Sequence, residues 1–508
     1  PGWTPQTEQE KRIAYMLFAP PDQALANILQ AGLGMADPKL ASVLIEDAVE
    51  TRKALLDWGA RFDQQGLRSH GVPIMEAVRG QLHKTDAVVH DRTMISDLLV
   101  HDGECVGAVG VDENTGETVV IQAGAVILGT GGDANLFLHN LNPDDTCGDG
   151  YVLGYNAGAE LTNLEFKQIF LGTVYPTRNM LLQPLPTHVR LMNAREKEFL
   201  PDYLPKGATA DECLRQRNGH NPFSTRDTLS RYLDIAIVNE LRAGRGTDHN
   251  AVLLDRTDER IPPLTGPRSE FWAYRGIDFS QPVEISTCHH CSLGGLRIDV
   301  NGETTVPHLY AAGEVAAGPH GADRMGGHML LASQVFGARA GKHAAAFASG
   351  QKQRDMPGKV SAQAEERIES LRRGDGASEP EPFRAALHHY AYFKLLVTRS
   401  AHSLASFLGD VKGISEELSR FTVTDPGAII ETLELQNLLL LAHIEAEACL
   451  MRTESRGPHY REDFPRQNDA EWLRNVVVKK AGDSPQVTTA VIDPSWKDLG
   501  DDKIGYWG

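Results

Sequence analysis

The chain has 508 residues, 41% hydrophobic and 23% charged with 48 glycines, which suits a turn-rich protein of about two to four domains. Its 50 basic and 68 acidic side chains leave a net charge of −18, a surface that repels nucleic-acid phosphates and anionic lipid. Six scattered cysteines, no apolar run of about eighteen residues and no secretory segment at the start point to a cytoplasmic protein that meets a membrane only through partners.

Asp37-Pro38, a capping residue before proline, predicts a helix with Leu40, Leu44 and Ala48 on one face, closed by Gly59 after Trp58. From Thr93 the period becomes that of strands. "TMISDLLV", "ECVGAVGV" and "ETVVIQA", parted by Asp102-Gly103 and the turn around Asn114-Thr115-Gly116, read as a three-stranded meander. "AGAVILGTGG" (123–132) is a continuous apolar run into glycines, either a parallel-sheet strand buried on both faces or an ordinary core strand with a glycine turn. Gly148-Asp149-Gly150 opens a short helix that Gly158 can end, and Asp149 suits either a cofactor hydroxyl or a helix cap.

Lys167 to about Ile285 lacks the parallel-sheet rhythm and reads as an inserted domain with one clear helix, "TLSRYLDIAIVNELRAG". "HLYAAGEVAAG" then repeats the strand-into-glycine pattern, and "LLASQVFGARAGKHAAAFASG" is a small-residue helix suited to packing on a sheet. Gly358, Gly374, Gly376, Pro380 and Pro382 predict a linker or long loop. Asp425-Pro426 opens a long helix that "ESRGPHYREDFP" ends, and the last residues read as an extended arm. No internal repeat occurs.

The order strand-"GTGG", "GDG…AGAELTNLEF", "RD…SR", "TCHH…GG", "LYAAGEV…HGADRMGG" resembles the flavoprotein subunits of fumarate reductase and succinate dehydrogenase, with L-aspartate oxidase and their relatives. The resemblance covers the chain from about Asp22 through "ESRGPHYREDFP". It implies an α/β fold: an FAD-binding dinucleotide-type domain in two parts (1–166 and 286–351), an α+β capping domain (167–285), a helical domain (352–482) and a tail (483–508). It also implies FAD chemistry on the CH–CH bond of a small carboxylate substrate, with electrons passed to an iron–sulfur subunit. No cluster-type cysteine spacing occurs here, so any cluster sits on another chain. The alternatives are an L-aspartate oxidase-like or adenylylsulfate-reductase-like flavoenzyme, and a flavin-free scaffold subunit.

Three departures qualify the resemblance. A dinucleotide fold begins strand, G-x-G-x-x-G, helix, so that backbone N–H groups receive the pyrophosphate. "GLGMAD" and "GRGTDH" both fail the third glycine, so the first βαβ unit is absent from this sequence. Truncation, a separate polypeptide supplying the unit, or loss of FAD binding would each account for that; the first two are favoured by the intact downstream motifs. The polypeptide by itself is expected to hold FAD weakly. Second, "KQIFLGT" places Phe170 where the family's dicarboxylate enzymes carry a carboxylate-holding histidine. Third, "GGHMLL" puts His328 and Met329 where the family has Asn-Ser beside the flavin. The last two disfavour succinate or fumarate and favour one carboxylate with an apolar or bulkier second end.

Cys288-x-x-Cys291, with His289 and His290 between, lacks the second ligand pair of a zinc site and the strand–helix setting of a redox dithiol. The resemblance instead makes this stretch the floor of a flavin and substrate pocket. It assigns His290 and Arg324 to substrate binding and Arg226 of "TRD" to proton transfer. It assigns Gly131, Gly132, Asp149, Glu314, Met329 and Leu330 to the cofactor. Asp227 could begin a proton relay or pair with Arg231, and Arg452, Glu454 and Arg456 read as an interdomain salt-bridge cluster.

Overall fold

A computed structural model describes residues 21–62, 71–182, 185–220, 222–226, 228–265, 267–350, 360–373, 379–423 and 425–492. Asp37 caps Pro38–Glu46 by accepting from the N–H groups of Lys39 and Leu40. The single helix expected to reach Trp58 is two, because the chain breaks at Asp47 before Ala48–Asp57. The break lets the Asp47 carboxylate take the Arg339 guanidinium from the helix His328–Ser349. Leu40, Leu44 and Ala48 are buried as their shared face requires. Pro21–Ala31 and Gly71–Leu82 are helices the sequence reading did not give, as are Ala210–Gly219 and Pro267–Tyr274 further on.

The meander forms as read, from Thr93–His101, Glu104–Asp112 and Thr118–Gln122. Asp102 and Gly103 both take positive φ at its first turn, the geometry that matches strand twist in a two-residue hairpin. The two strand-into-glycine segments pair in parallel, Val126–Leu128 with Leu309–Ala311. Burial on both faces does not hold for the first. Ile127 is 42% exposed, because alternate side chains leave opposite faces and Val126 and Leu128 take the more buried one.

The stretch read as an inserted domain carries a five-stranded sheet ordered Met180–Leu181, Lys167–Tyr175, Val283–Ser292, Val252–Asp255, Arg190–Met192. Its strand Val283–Ser292 runs on past Ile285, so Cys288 to Ser292 lie on the cap sheet opposite Phe170 to Lys167. The predicted helix is Arg231–Arg242.

The linker reading fails where residues are described. Ala362–Arg372 is a helix, and Pro380 and Pro382 start the next one, Glu381–Ala391, where a missing N–H costs nothing. Gly358, Gly374 and Gly376 lie outside the described residues, as do 493–508 of the expected arm. The mostly helical run also ends early. Arg474–Ala481 and Ser484–Val491 form a hairpin that joins Leu161–Thr162 of the FAD-binding part, seating Val476 and Val478 in the core. Pro426–Met451 is long and apolar enough to cross a membrane, but it is a core helix: Leu433, Leu438, Leu441, Ile444 and Ala448 are buried. Just beyond it Arg452 bridges Glu165 and Glu454, and Arg456 bridges Glu454 and Asp469, the salt-bridge cluster read from the sequence.

Candidate functional site

A cavity of ≈ 230 Å³ opens where three pieces of chain meet: the helix Pro21–Ala31, the cap residues around Gly219 to Thr228, and the loop before His328. Two guanidinium groups line it, Arg226 from the cap and Arg324 from the FAD-binding part. The loop holding Arg324 is pressed onto the N-terminal segment. Ala322 N–H donates to Gly32 O and Asp37 N–H to Gly318 O. A Cβ on Gly321, at φ +64, would come within 2.4 Å of Ala36 N, so only glycine permits this approach.

Arg324 donates through Nε and Nη2 to Gln168 Oε1 at 3.1 and 2.5 Å and through Nη1 to Met325 O at 3.0 Å. Gln168 is fixed in turn, its Nε2 donating to Asp323 Oδ1 at 3.2 Å and Arg324 O at 3.3 Å. The arrangement leaves an N–H on each terminal nitrogen of Arg324 beyond those bonds. Arg226 donates from Nη2 to Ala31 O at 3.3 Å and stands 3.9 Å from Asp323 Oδ2. Its loop is tied to the C-terminal part by Thr225 N–H to Gly457 O at 2.7 Å. Asp227 lies outside the described residues.

His290 lies off the cavity wall, edge-on to Phe170 at 4.9 Å, with Nδ1 lacking a hydrogen-bond partner among the described residues. Burial, reinforced by the charge of Arg324, lowers its pKa to about 3, so the ring is neutral. Phe170 is buried. Cys288 and Cys291 are free and buried, and burial pushes both thiols up to about 12. No cluster of three or more potential metal ligands occurs among the described residues.

The residues assigned to the cofactor fall into two groups. Gly131, at φ +78, and Gly132 follow the strand Val126–Leu128, and a Cβ on Gly132 would strike Glu314 Oε1 at 2.1 Å. Glu314 Oε1 accepts from Ser292 N–H at 2.8 Å, and burial raises its carboxyl to about 7. Met329 and Leu330 occupy the first turn of His328–Ser349, entered through Gly327 at φ +81, where a helix leaves N–H groups without intrahelical acceptors. Asp149 lies beside the first group, since Gly148 N–H donates to Gly132 O at 3.1 Å, but its side chain accepts from Asn437 of the long C-terminal helix at 2.8 Å, and burial raises it to about 6.

Sequence reading missed one buried charge network. Lys167 Nζ contacts Asp133, Glu445 at 2.5 Å and Ser292 Oγ at 2.9 Å, one residue from each part of the molecule. A lysine inside the apolar strand "FKQIFLG" was the available signal. Gln168 and the His220–Asp323 contact gave none.

A family profile described as "FAD binding domain" matches residues 66–330, and one described as "Fumarate reductase flavoprotein C-term" matches 384–498. The chain is 32% identical to a polypeptide of the fumarate reductase (CoM/CoB) of Methanothermobacter marburgensis, over 91% of this chain and 86% of that one. The chain belongs to the fumarate reductase and succinate dehydrogenase flavoprotein family. It is 28% identical to an L-aspartate oxidase of Streptomyces coelicolor, over 93% of this chain and 83% of the relative. In fold it is similar to Mycobacterium smegmatis Sdh1, with a TM-score of 0.80 at 24% identity, covering 94% of this chain and 85% of that one. The protein is therefore an FAD-dependent oxidoreductase, and the flavin-free scaffold reading is set aside. The glycine turn fits the cofactor: a Cβ on Gly132 would displace the buried Glu314 carboxylate, and the helix His328–Ser349 supplies N–H groups at its N-terminus.

Proposed function

We propose that the protein interconverts a C–C single bond and a double bond adjacent to a carboxylate. The observation that supports this reading is the convergence of Arg226 and Arg324, from cap and FAD-binding part, on one cavity. FAD, when bound, supplies or takes the hydride. Gly131, Gly132, Glu314, Met329 and Leu330 would hold it; Asp149, engaged by Asn437, would act by seating that helix against the cofactor domain.

Arg324 binds the substrate carboxylate. Its guanidinium keeps its charge throughout and already presents paired N–H donors to an oxygen, that of Gln168, so an anionic oxygen suits the same donors better. His290, neutral and set back from the cavity wall beside Phe170, donates to the carboxylate that Arg324 holds. Arg226 exchanges the proton at the carbon next to the one that exchanges hydride, and its cationic form stabilises the enolate-like charge that develops. Electron exchange with an iron–sulfur subunit completes the proposal.

Phe170 sets the substrate class. It can neither donate to an anion nor carry charge, so the second end of the substrate is apolar or bulky rather than a carboxylate. With reduced viologen as electron donor, fumarate should turn over poorly. Phe170→His should raise kcat/KM for fumarate by about ten- to a hundredfold, the worth of one hydrogen bond to a charged group, about 1.5–3 kcal/mol. Fumarate reduction by the unmodified protein that Phe170→His leaves unchanged or weakens would count against this assignment.

A further inference from the structure

Proton transfer through Arg226 raises a supply problem. An arginine that gives up its proton must regain it every turnover, and a guanidinium does not exchange its proton with water readily enough to do so unaided. The neighbouring pair needs a group that ionises near neutral pH and reaches water. Among common side chains that group is histidine.

One stands at the cavity. His220 is the residue on which the helix Ala210–Gly219 ends, and its side chain is 24% exposed. Its Nε2 lies 2.8 Å from Oδ2 of Asp323, a carboxylate that is 2% exposed; the two are at ion-pair distance, and a small turn of the ring would align them for a hydrogen bond. The same oxygen is 3.9 Å from Arg226 Nη2. The other oxygen of Asp323 accepts from Gln168 Nε2 and the Arg324 N–H, so the carboxylate cannot turn away. We infer that His220 and Asp323 position Arg226 and return its proton, forming a line from solvent through His220 Nε2 and Asp323 Oδ2 to Arg226 Nη2.

The step balances. In alkene reduction one proton leaves Arg226 for carbon, one passes from Asp323 to Arg226, one from the His220 imidazolium to Asp323, and water restores His220. No electrons move along this line, and oxidation runs it backwards. The 3.9 Å contact is longer than a hydrogen bond; such catalytic contacts are often long without substrate and tighten in the complex. Burial opposes charge on Asp323, but His220 and then Arg226 outweigh it and hold the carboxyl below its ordinary range. Among the described residues, the charged groups that face His220 are Asp323 and Arg324 from the loop before His328 and Arg226 from the cap; the helix Pro21–Ala31 brings the amides Asn27 and Gln30.

This inference rests on the proposed function, and the test separates the two. The native FAD-containing protein is assayed with reduced viologen and either fumarate or crotonate. His220→Ala and His220→Gln should each lower kcat about 100-fold with little change in KM. Added imidazole should restore much of the loss in His220→Ala, and the acidic group in the pH profile of kcat should vanish. If Arg226→Ala abolishes turnover while both His220 variants keep the normal kcat and pH profile, the relay is wrong and the proposed function stands. If Arg226→Ala itself turns over normally, the proposed function falls with it.

Discussion

Arg226→Ala is expected to reduce turnover by ~100- to 10,000-fold while the protein keeps its FAD and the substrate still perturbs the flavin spectrum. The expectation follows from where the side chain sits. Arg226 is held to the cavity wall by a hydrogen bond to Ala31 O and by its proximity to Asp323, not by a role in the core. Its removal leaves the Arg324–Gln168 pairing intact, so carboxylate binding and proton transfer separate in the kinetics: kcat collapses and KM moves little. Arg226→Lys keeps the charge but shortens the fork, and should recover only a small part of the rate. Near-normal turnover in Arg226→Ala would make it a scaffold residue of the cap.

The largest stability effect is expected at Lys167. Its ammonium is buried with Asp133 and Glu445, so one cation faces two carboxyls in a sealed space. Burial works against all three charges. For Asp133 the attraction of Lys167 wins and holds the carboxyl below its usual range; for Lys167 the two carboxyls outweigh burial and raise it. Burial prevails at Glu445, which is raised well above its ordinary value and keeps its proton. Lys167→Met therefore strands the Asp133 charge and should cost ~3–5 kcal/mol in equilibrium unfolding. Glu445→Gln, replacing a neutral acid by a neutral amide of the same shape, should cost far less. Equal losses in the two variants would mean that Glu445 is ionised, and no loss in Lys167→Met would mean that the network does not hold the three parts together.

Much of the fold was legible because its signals are local. Asp37-Pro38, Asp102-Gly103 and Asp425-Pro426 marked elements by side-chain and backbone chemistry that acts within a few residues. What escaped depends on partners distant in sequence. The hairpin Arg474–Val491 straddles the end of the expected helical domain and the start of the tail, and it becomes part of a sheet only by pairing with Leu161–Thr162, more than three hundred residues earlier. The break at Asp47 answers to Arg339. In the site, the motif order pointed to Arg226 and Arg324, and the structure brings both to one cavity. It gave no sign of Gln168, which occupies Arg324, or of His220, which meets Asp323 only across the boundary between cap and cofactor domain. Asp149 was legible as a special carboxylate, but its hydrogen bond to Asn437 is a tertiary fact.

On the proposed reading, Arg226 and Arg324 mark the place where a carboxylate-bearing C–C bond exchanges hydride. Anaerobic mixing of the reduced FAD-containing protein with α,β-unsaturated carboxylates, followed by flavin absorbance, tests this most directly. Rapid return of the oxidised spectrum is expected with an unsaturated monocarboxylate, slower return with fumarate, and no response in Arg324→Gln. A protein whose reduced flavin ignores every unsaturated carboxylate, or whose oxidised flavin is bleached by L-aspartate, contradicts it.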